Sequence, residues 1–184
     1  MDETGLKIRV FPETVLRKKS RRIEQVTEAH RDTLSKMARI MYDASGIGLA
    51  APQIGINESM VVIDIGQGLY KLINVKIVRK QGSQSMEEGC LSIPGISVKV
   101  KRAKKIWVKA QDDSGKDVDL EAEGLLACVF QHEVDHLNGK LIIDYASLLE
   151  KLKIKKAIRE LKKKVKDAKL SQPETKSGKL SRSM

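Results

Sequence analysis

The stretch GLLACVFQHEVDHLNG, residues 124–139, decides how the rest of the chain is read. Its apolar residues follow a helical pattern from about Gly124 to Leu137. Asn138-Gly139 then supplies a glycine suited to the left-handed position just past a helix end. Within this helix His132 and His136 stand four residues apart, so their imidazoles lie on one face about one turn apart. Two imidazoles so placed can aim at one metal ion. Glu133 lies about 100° further round. From there it can reach a water held by the ion without binding the ion itself. A metal lowers the pKa of such a water to roughly 7. A neighbouring carboxylate can take its proton and pass it to a leaving group. The alternative is a pair of ordinary core or surface histidines; the glutamate beside the first histidine favours the metal.

A catalytic metal usually has three protein ligands. Cys128 sits one turn before His132 but eight residues from His136, about 12 Å along the axis. Three side chains spread over that length do not converge comfortably, so the third ligand is expected elsewhere. Cys90 in EEGCLS (87–92) is the candidate, after a glycine that permits close approach, and Cys128 reads as a small buried apolar residue. The segment GIGLAAPQIG (46–55) is built of small residues. Gly48 among them is the candidate for close substrate contact, and Gln53 offers an amide donor for a developing oxyanion. Taken alone, the segment reads equally well as a turn. Leu125 and Val129 share the His132 side of the helix and are candidates to line an apolar pocket with Met86 and Ile47. Plain core packing is the alternative for each. Arg102 could meet a substrate or Asp135, or remain solvated.

Elsewhere in the chain, LKIRVF (6–11) alternates and reads as a short strand. An amphipathic helix is expected from about Thr27 to Ser45, with His30 on the side of Leu34. MVVIDI (60–65) and KLINVKIV (71–78) read as strands. Ile96–Val100 and Lys105–Ala110 read as a second strand pair, and Asp112–Lys116 as a hairpin turn with VDLEAE (118–123) as its return strand. LIIDY (141–145) is read as extended. Ser147 is expected to cap a last helix to about Lys169, with Leu148, Leu152, Ile154, Ile158, Leu161 and Val165 as its apolar stripe. Residues 170–184 are polar and are expected to be disordered. There is no internal repeat. Antiparallel strands with segregated helices predict an α+β fold, with antiparallel sheets around a central metal-binding helix and a C-terminal helix. The expected organisation is a catalytic unit at 1–146, a basic helix at 147–169 and the tail.

The chain has 184 residues, a size for one domain and an appendage. Its charge of +11 is uneven. From Tyr145 onward there are 13 Lys and Arg against 4 Asp and Glu, whereas residues 1–144 carry 22 against 20. The body is nearly neutral and the C-terminal part strongly basic, a pattern that attracts polyanions. No apolar run approaches the ~18 residues of a membrane span, so no membrane partner is expected. The start MDETGLKIRVF has no apolar signal core, and two cysteines make no disulfide framework. A reducing compartment is expected.

Three segments in this order, GIGLAAPQ (46–53), EGCLS (88–92) and HEVDH (132–136), together resemble the peptide deformylases. VLRKKS and HLNGKLIID add to a likeness that spans roughly residues 6–150, with no departure at the positions that would carry catalysis. The resemblance implies that Cys90, His132 and His136 are metal ligands. It implies Fe(II) as the usual ion, with Zn, Ni or Co able to replace it. Glu133 would be general base and then acid, and Gln53 with the backbone N–H of Leu91 would stabilise the oxyanion. The implied substrate is the formyl-methionyl end of a nascent chain, with formate released. The implied place is a bacterial-type cytoplasm or an organelle, with the ribosome as a partner through the basic helix.

Two rival readings start from the same residues. One is a zinc peptidase, but no histidine follows His136 to serve as its third ligand, and Glu150 and Glu160 lie in the basic helix. The other is an RNA-binding module without enzymatic activity, which leaves the Cys and His-Glu segments without a purpose.

Overall fold

The computed structural model describes residues 5–170. At its centre is the helix Gly124–Leu137, here α2. Nine of its fourteen residues are buried, from Phe130 and Leu137 to Gln131, Glu133 and His136. A helix with one wet face would bury a single stripe, so α2 must be covered on nearly all sides. It ends as the sequence predicts. Gly139 adopts φ +70, its N–H donates to the His136 carbonyl at 3.1 Å, and Lys140 N–H donates to Asp135 at 2.9 Å.

Five antiparallel strands provide the cover on one side. In spatial order they are β1 (Gly48–Ala50), β2 (Met60–Ile63), β3 (Tyr70–Gln81), β6 (Lys105–Gln111) and β7 (Asp117–Glu123). A separate antiparallel pair joins β4 (Gln84–Glu88) to β5 (Val98–Arg102). All four residues of β2 are buried because the strand is covered on both faces. Val61 and Ile63 join the core under α2. Met60 and Val62 join the core under α1 (Glu28–Asp43), with Leu34, Met37 and Met41. His30 belongs to this helix start, where its Nδ1 accepts the Thr27 N–H at 3.0 Å.

The hairpin between β6 and β7 forms where expected. The Asp112 carboxylate accepts the N–H groups of Ser114 and Lys116, each at 2.9 Å. Four other expectations need correction. Residues 6–11 are extended but belong to no ladder: Arg9 N–H bonds to Gln53 and Phe11 N–H to Ser92, two separate loops. Their alternation reflects two cores, Leu6 and Ile8 packing in one and Val10 and Phe11 in another. The strands around 98 and 105 do not pair with each other. β5 pairs with β4, whose sequence QSMEE has no β-branched or aromatic residue to announce a strand, and β6 lies between β3 and β7. Ile142–Asp144 is a 3-10 turn, because Asp144 folds back to accept the Leu141 N–H at 2.8 Å while pairing with Arg17.

The fourth correction concerns the last helix, α3 (Leu148–Leu170). It is capped as expected: Glu150 N–H donates to Ser147 Oγ at 3.3 Å and the Glu150 carboxylate accepts Ser147 N–H at 2.8 Å. Ile154, Ala157, Ile158 and Leu161 pack on a third core with Leu16, Ile93 and Val100. Leu148 and Leu152, expected in the same stripe, are 82% and 68% exposed. At 100° per residue Leu152 falls roughly opposite 154 and 161, and Leu148, the first residue of the helix, falls to the side of the packed stripe. The expected disordered tail lies outside the described residues, except for Leu170, which ends the helix.

Gly139 is required twice over. Its φ costs other L residues about 1–2 kcal/mol, and a Cβ there would press on the Arg17 backbone carbonyl. Gly139→Ala is expected to destabilise the protein by at least about 2 kcal/mol, read as a lower urea midpoint at unchanged m-value.

Candidate active site

Three elements bring the site together. α2 supplies His132, Glu133 and His136. The end of β4 and the loop after it supply Glu88, Cys90 and Leu91. β1 and the 3-10 turn Ala51–Ile54 supply Gly48 and Gln53. All of these residues except His136 line a cavity of about 480 Å³ together with Ile47, Met86, Leu125 and Val129, a size suited to a small ligand or a peptide end.

The ligand atoms of Cys90, His132 and His136 all lie within 4.8 Å of one another. Cys90 Sγ is 3.2 Å from His136 Nε2, and the two imidazole centroids are 5.0 Å apart. Cys128 stays out of this group; its Sγ accepts an N–H from the Gln84 amide at 3.2 Å. One thiol and two imidazoles from separate elements, converging in a partly buried pocket, fit a borderline transition metal such as iron, zinc, nickel or cobalt.

A buried charge network orients His132. Its Nδ1 lies 3.0 Å from Glu88 Oε2, so an N–H there donates to the carboxylate and leaves Nε2 for the cluster. Arg102 grips Glu88 with both arms, Nε to Oε1 at 2.8 Å and the second amino group to Oε2 at 2.9 Å. Its remaining amino group pairs with Asp135, and the guanidinium carbon lies over the Tyr145 ring, 4.9 Å from its centroid. Burial would raise the Glu88 pKa, but the hydrogen bonds from Arg102 and His132 win and hold it at about 2. Arg102 is only 6% exposed, so of the roles open to it in the sequence the structure selects the pairing with Asp135 and adds Glu88. Burial pushes His136 well below the usual histidine range, with the neighbouring His132 adding to the effect. It is therefore neutral and suited to act as a ligand.

Glu133 has the opposite environment. Its Oε2 is buried with no hydrogen-bond partner among the described residues. Burial pushes its pKa up to about 7, against a smaller opposing pull from His132. The other oxygen rests against Gly48, where a Cβ would overlap it and the Val129 methyl. Gly48 is thus the floor beneath the carboxylate as well as part of the cavity wall.

The Gln53 amide can be oriented without ambiguity. Its Oε1 accepts the Ala50 N–H at 2.8 Å, which turns Nε2 toward Cys90 Sγ at 3.7 Å and Ser92 Oγ at 3.3 Å. A donor therefore faces the site. Glu88 and Ser92 were not singled out in the sequence, although both stand within EEGCLS. Only the tertiary structure shows that they hold His132 and Gln53.

The chain matches the family described as Polypeptide deformylase over residues 6–152. It is 48% identical over 141 residues to the peptide deformylase of Halothermothrix orenii, covering 76% of this chain and 92% of that one. With the peptide deformylase of Thermotoga maritima the identity is 43% over 161 residues, covering 87% and 98% of the two chains. The crystal structure of a peptide deformylase from Legionella pneumophila superposes with a TM-score of 0.80 at 40% identity, covering 91% of this chain and 99% of that one.

The Glu88 carboxylate acts on the metal cluster through His132. Glu88→Ala is expected to weaken metal affinity by about 10–100-fold. Competition against a chromophoric chelator measures this.

Proposed function

The chain belongs to the polypeptide deformylase family, and on that premise we propose which of its residues carry out the reaction. The enzyme is a hydrolase that removes the N-formyl group from nascent peptides. The observation that carries the assignment is the convergence of Cys90, His132 and His136 at the wall of a cavity that Cys90, His132 and Glu133 line, with Glu133 Oε2 buried and unpartnered among the described residues.

In this reading Cys90, His132 and His136 hold the metal, and Glu88 and Arg102 fix the orientation of His132. When bound, the metal supplies Lewis acidity toward water and the formyl carbonyl. Fe(II) is the proposed native ion, with Zn, Ni or Co as replacements; the donor set of one thiolate and two imidazoles supports that group. Glu133 takes the proton of the attacking water and returns it to the departing nitrogen. Its carboxylate is buried beside the cluster with Oε2 free of any hydrogen-bond partner among the described residues, which leaves that oxygen available to exchange a proton. Gln53 Nε2 and the Leu91 N–H donate to the formyl oxygen as negative charge develops there. The formyl group has no side chain to recognise, so selection falls on the amino acid that bears it. Ile47, Gly48, Met86, Leu125 and Val129 accept the methionine side chain.

Residues 1–146 form the catalytic unit of this proposal. α3 is an appendage whose solvent face carries Lys155, Lys156, Arg159 and Lys163. The ribosome is proposed as its partner, on the strength of a basic C-terminal part attached to a nearly neutral body. The bacterial relatives support a cytoplasmic setting, where such chains emerge. No helix among the described residues is long and apolar enough to cross a membrane.

The central test uses protein purified without oxygen. Formate release from a formyl-Met peptide and metal content are measured for wild type and Glu133→Gln. The variant is expected to retain its metal and lose activity by about 10²–10⁴-fold. Cleavage of internal peptide bonds without formate release would replace this reading with that of a peptidase. For the ribosome, the triple variant Lys155→Glu, Arg159→Glu, Lys163→Glu is expected to pellet poorly with ribosomes at low salt. Undiminished, salt-insensitive pelleting would exclude the helix as the contact.

A further inference from the structure

We propose that Tyr145 is a positioning residue for the metal cluster: its ring covers a face of the Arg102 guanidinium and thereby keeps Glu88 and His132 in the orientation that a shared ion needs. The proposal rests on reading Cys90, His132 and His136 as the metal ligands.

A guanidinium offers its donors in one plane and presents two bare faces. The in-plane donors of Arg102 go to two carboxylates, Glu88 at 2.8 and 2.9 Å and Asp135 through the remaining amino group. One face lies over the Tyr145 ring, with the guanidinium carbon 4.9 Å from the centroid. Arg102 is 6% exposed and Tyr145 38%, so Tyr145 is a layer between the ion network and water. Water admitted to that face would raise the local dielectric and loosen both ion pairs. The Tyr145 hydroxyl also hydrogen-bonds to Asp135. Ring and hydroxyl therefore act on the same network.

The connector that carries Tyr145 is fastened on both sides. Before it, Asp144 pairs with Arg17 and accepts the Leu141 N–H at 2.8 Å. After it, Ala146 is buried, and Glu150 in the first turn of α3 accepts the Lys99 N–H of β5 at 3.2 Å. A ring on so constrained a segment can hold Arg102 in place. From Arg102 the route to the cluster is continuous. Arg102 grips Glu88, and Glu88 Oε2 lies 3.0 Å from His132 Nδ1. The partner of that second ring nitrogen sets the orientation of a liganding imidazole. Tyr145 is not among the residues that line the cavity, so it acts through His132 and not on the substrate.

The test measures Co(II) affinity by competition against a chromophoric chelator. The proteins compared are wild type, Tyr145→Leu, Tyr145→Phe, Glu88→Ala and the double variant Glu88→Ala, Tyr145→Leu. Tyr145→Leu is expected to weaken Co(II) binding by about tenfold, the lower end of what loss of an outer partner costs. It is also expected to shift the ligand-field absorption bands of the bound Co(II). Tyr145→Phe keeps the ring face and is expected to stay much closer to wild type. In the Glu88→Ala background the leucine substitution is expected to add little, because the route through Glu88 is already broken. A general loss of stability would instead add its effect in both backgrounds. If the leucine variant does not fold, Tyr145→Met takes its place in the same comparison. Affinity and bands equal to wild type in the leucine variant, or losses that add fully in the double variant, would overturn the role of Tyr145. A wild-type chain that binds no Co(II) would instead overturn the reading of the ligands beneath it.

Discussion

The central constraint in this molecule is a helix that is buried on nearly all sides and yet carries ionisable side chains. Burying a charge without a partner costs several kcal/mol; Gln131, His132 and Asp135 of α2 are met by other elements, whereas Glu133 Oε2 and His136 Nδ1 have no partner among the described residues. Arg102 meets two of these demands at once. It pairs with Asp135 of α2 and grips Glu88, which in turn receives His132. Removing one member of such a buried set costs about 3–5 kcal/mol, because the others lose compensation. Gln131 adds a neutral clamp. It accepts the Ala103 N–H at 3.0 Å and donates to the Ala103 carbonyl at 3.0 Å. The corner between β5 and β6 is thereby tied to the helix. That corner sends the two strands into different sheets, and it also carries Arg102 into position.

Two glutamates near the same cluster receive opposite treatment. Glu88 has Arg102 and His132 as partners and is held at about 2. Glu133 has burial without a hydrogen bond to Oε2 and rises to about 7. One carboxylate is held charged and anchors His132. The other is pushed toward its neutral form, the environment that the proposed acid-base role of Glu133 would use. The unpaired buried oxygen is unfavourable for stability, and such perturbed groups cluster at functional sites. Gly48 makes this possible, since any larger residue would occupy the space of the carboxylate.

α3 follows a different rule. Its inner stripe joins the third core, and Lys162 reaches over Phe11 at 5.4 Å. Its outer side combines exposed leucines at the start with lysines beyond. The helix is anchored through apolar burial near its middle, while its charge faces outward. Docking to the body uses the apolar stripe and leaves the basic face free, so surface charge can be altered without disturbing the packed stripe.

Local signals determined much of what the sequence conveyed. The spacing of His132, Glu133 and His136 follows from helix periodicity, the end at Gly139 from its backbone freedom, and the β6–β7 turn from Asp112 and Gly115. The insufficiency of Cys128 as a ligand could be read from helix rise alone. Other features depended on residues distant in sequence. Residues 84–88 become a strand because β5 lies beside them, although their side chains do not favour one. Arg102 could have been a surface cation until Glu88 and Asp135, 14 and 33 residues away, enclosed it. The donor face of Gln53 depends on the Ala50 N–H. Periodicity and turn chemistry act over a few residues and are written in order along the chain. Charge pairing and burial act across space, so only the folded chain decides which carboxylate stays charged and which holds a proton.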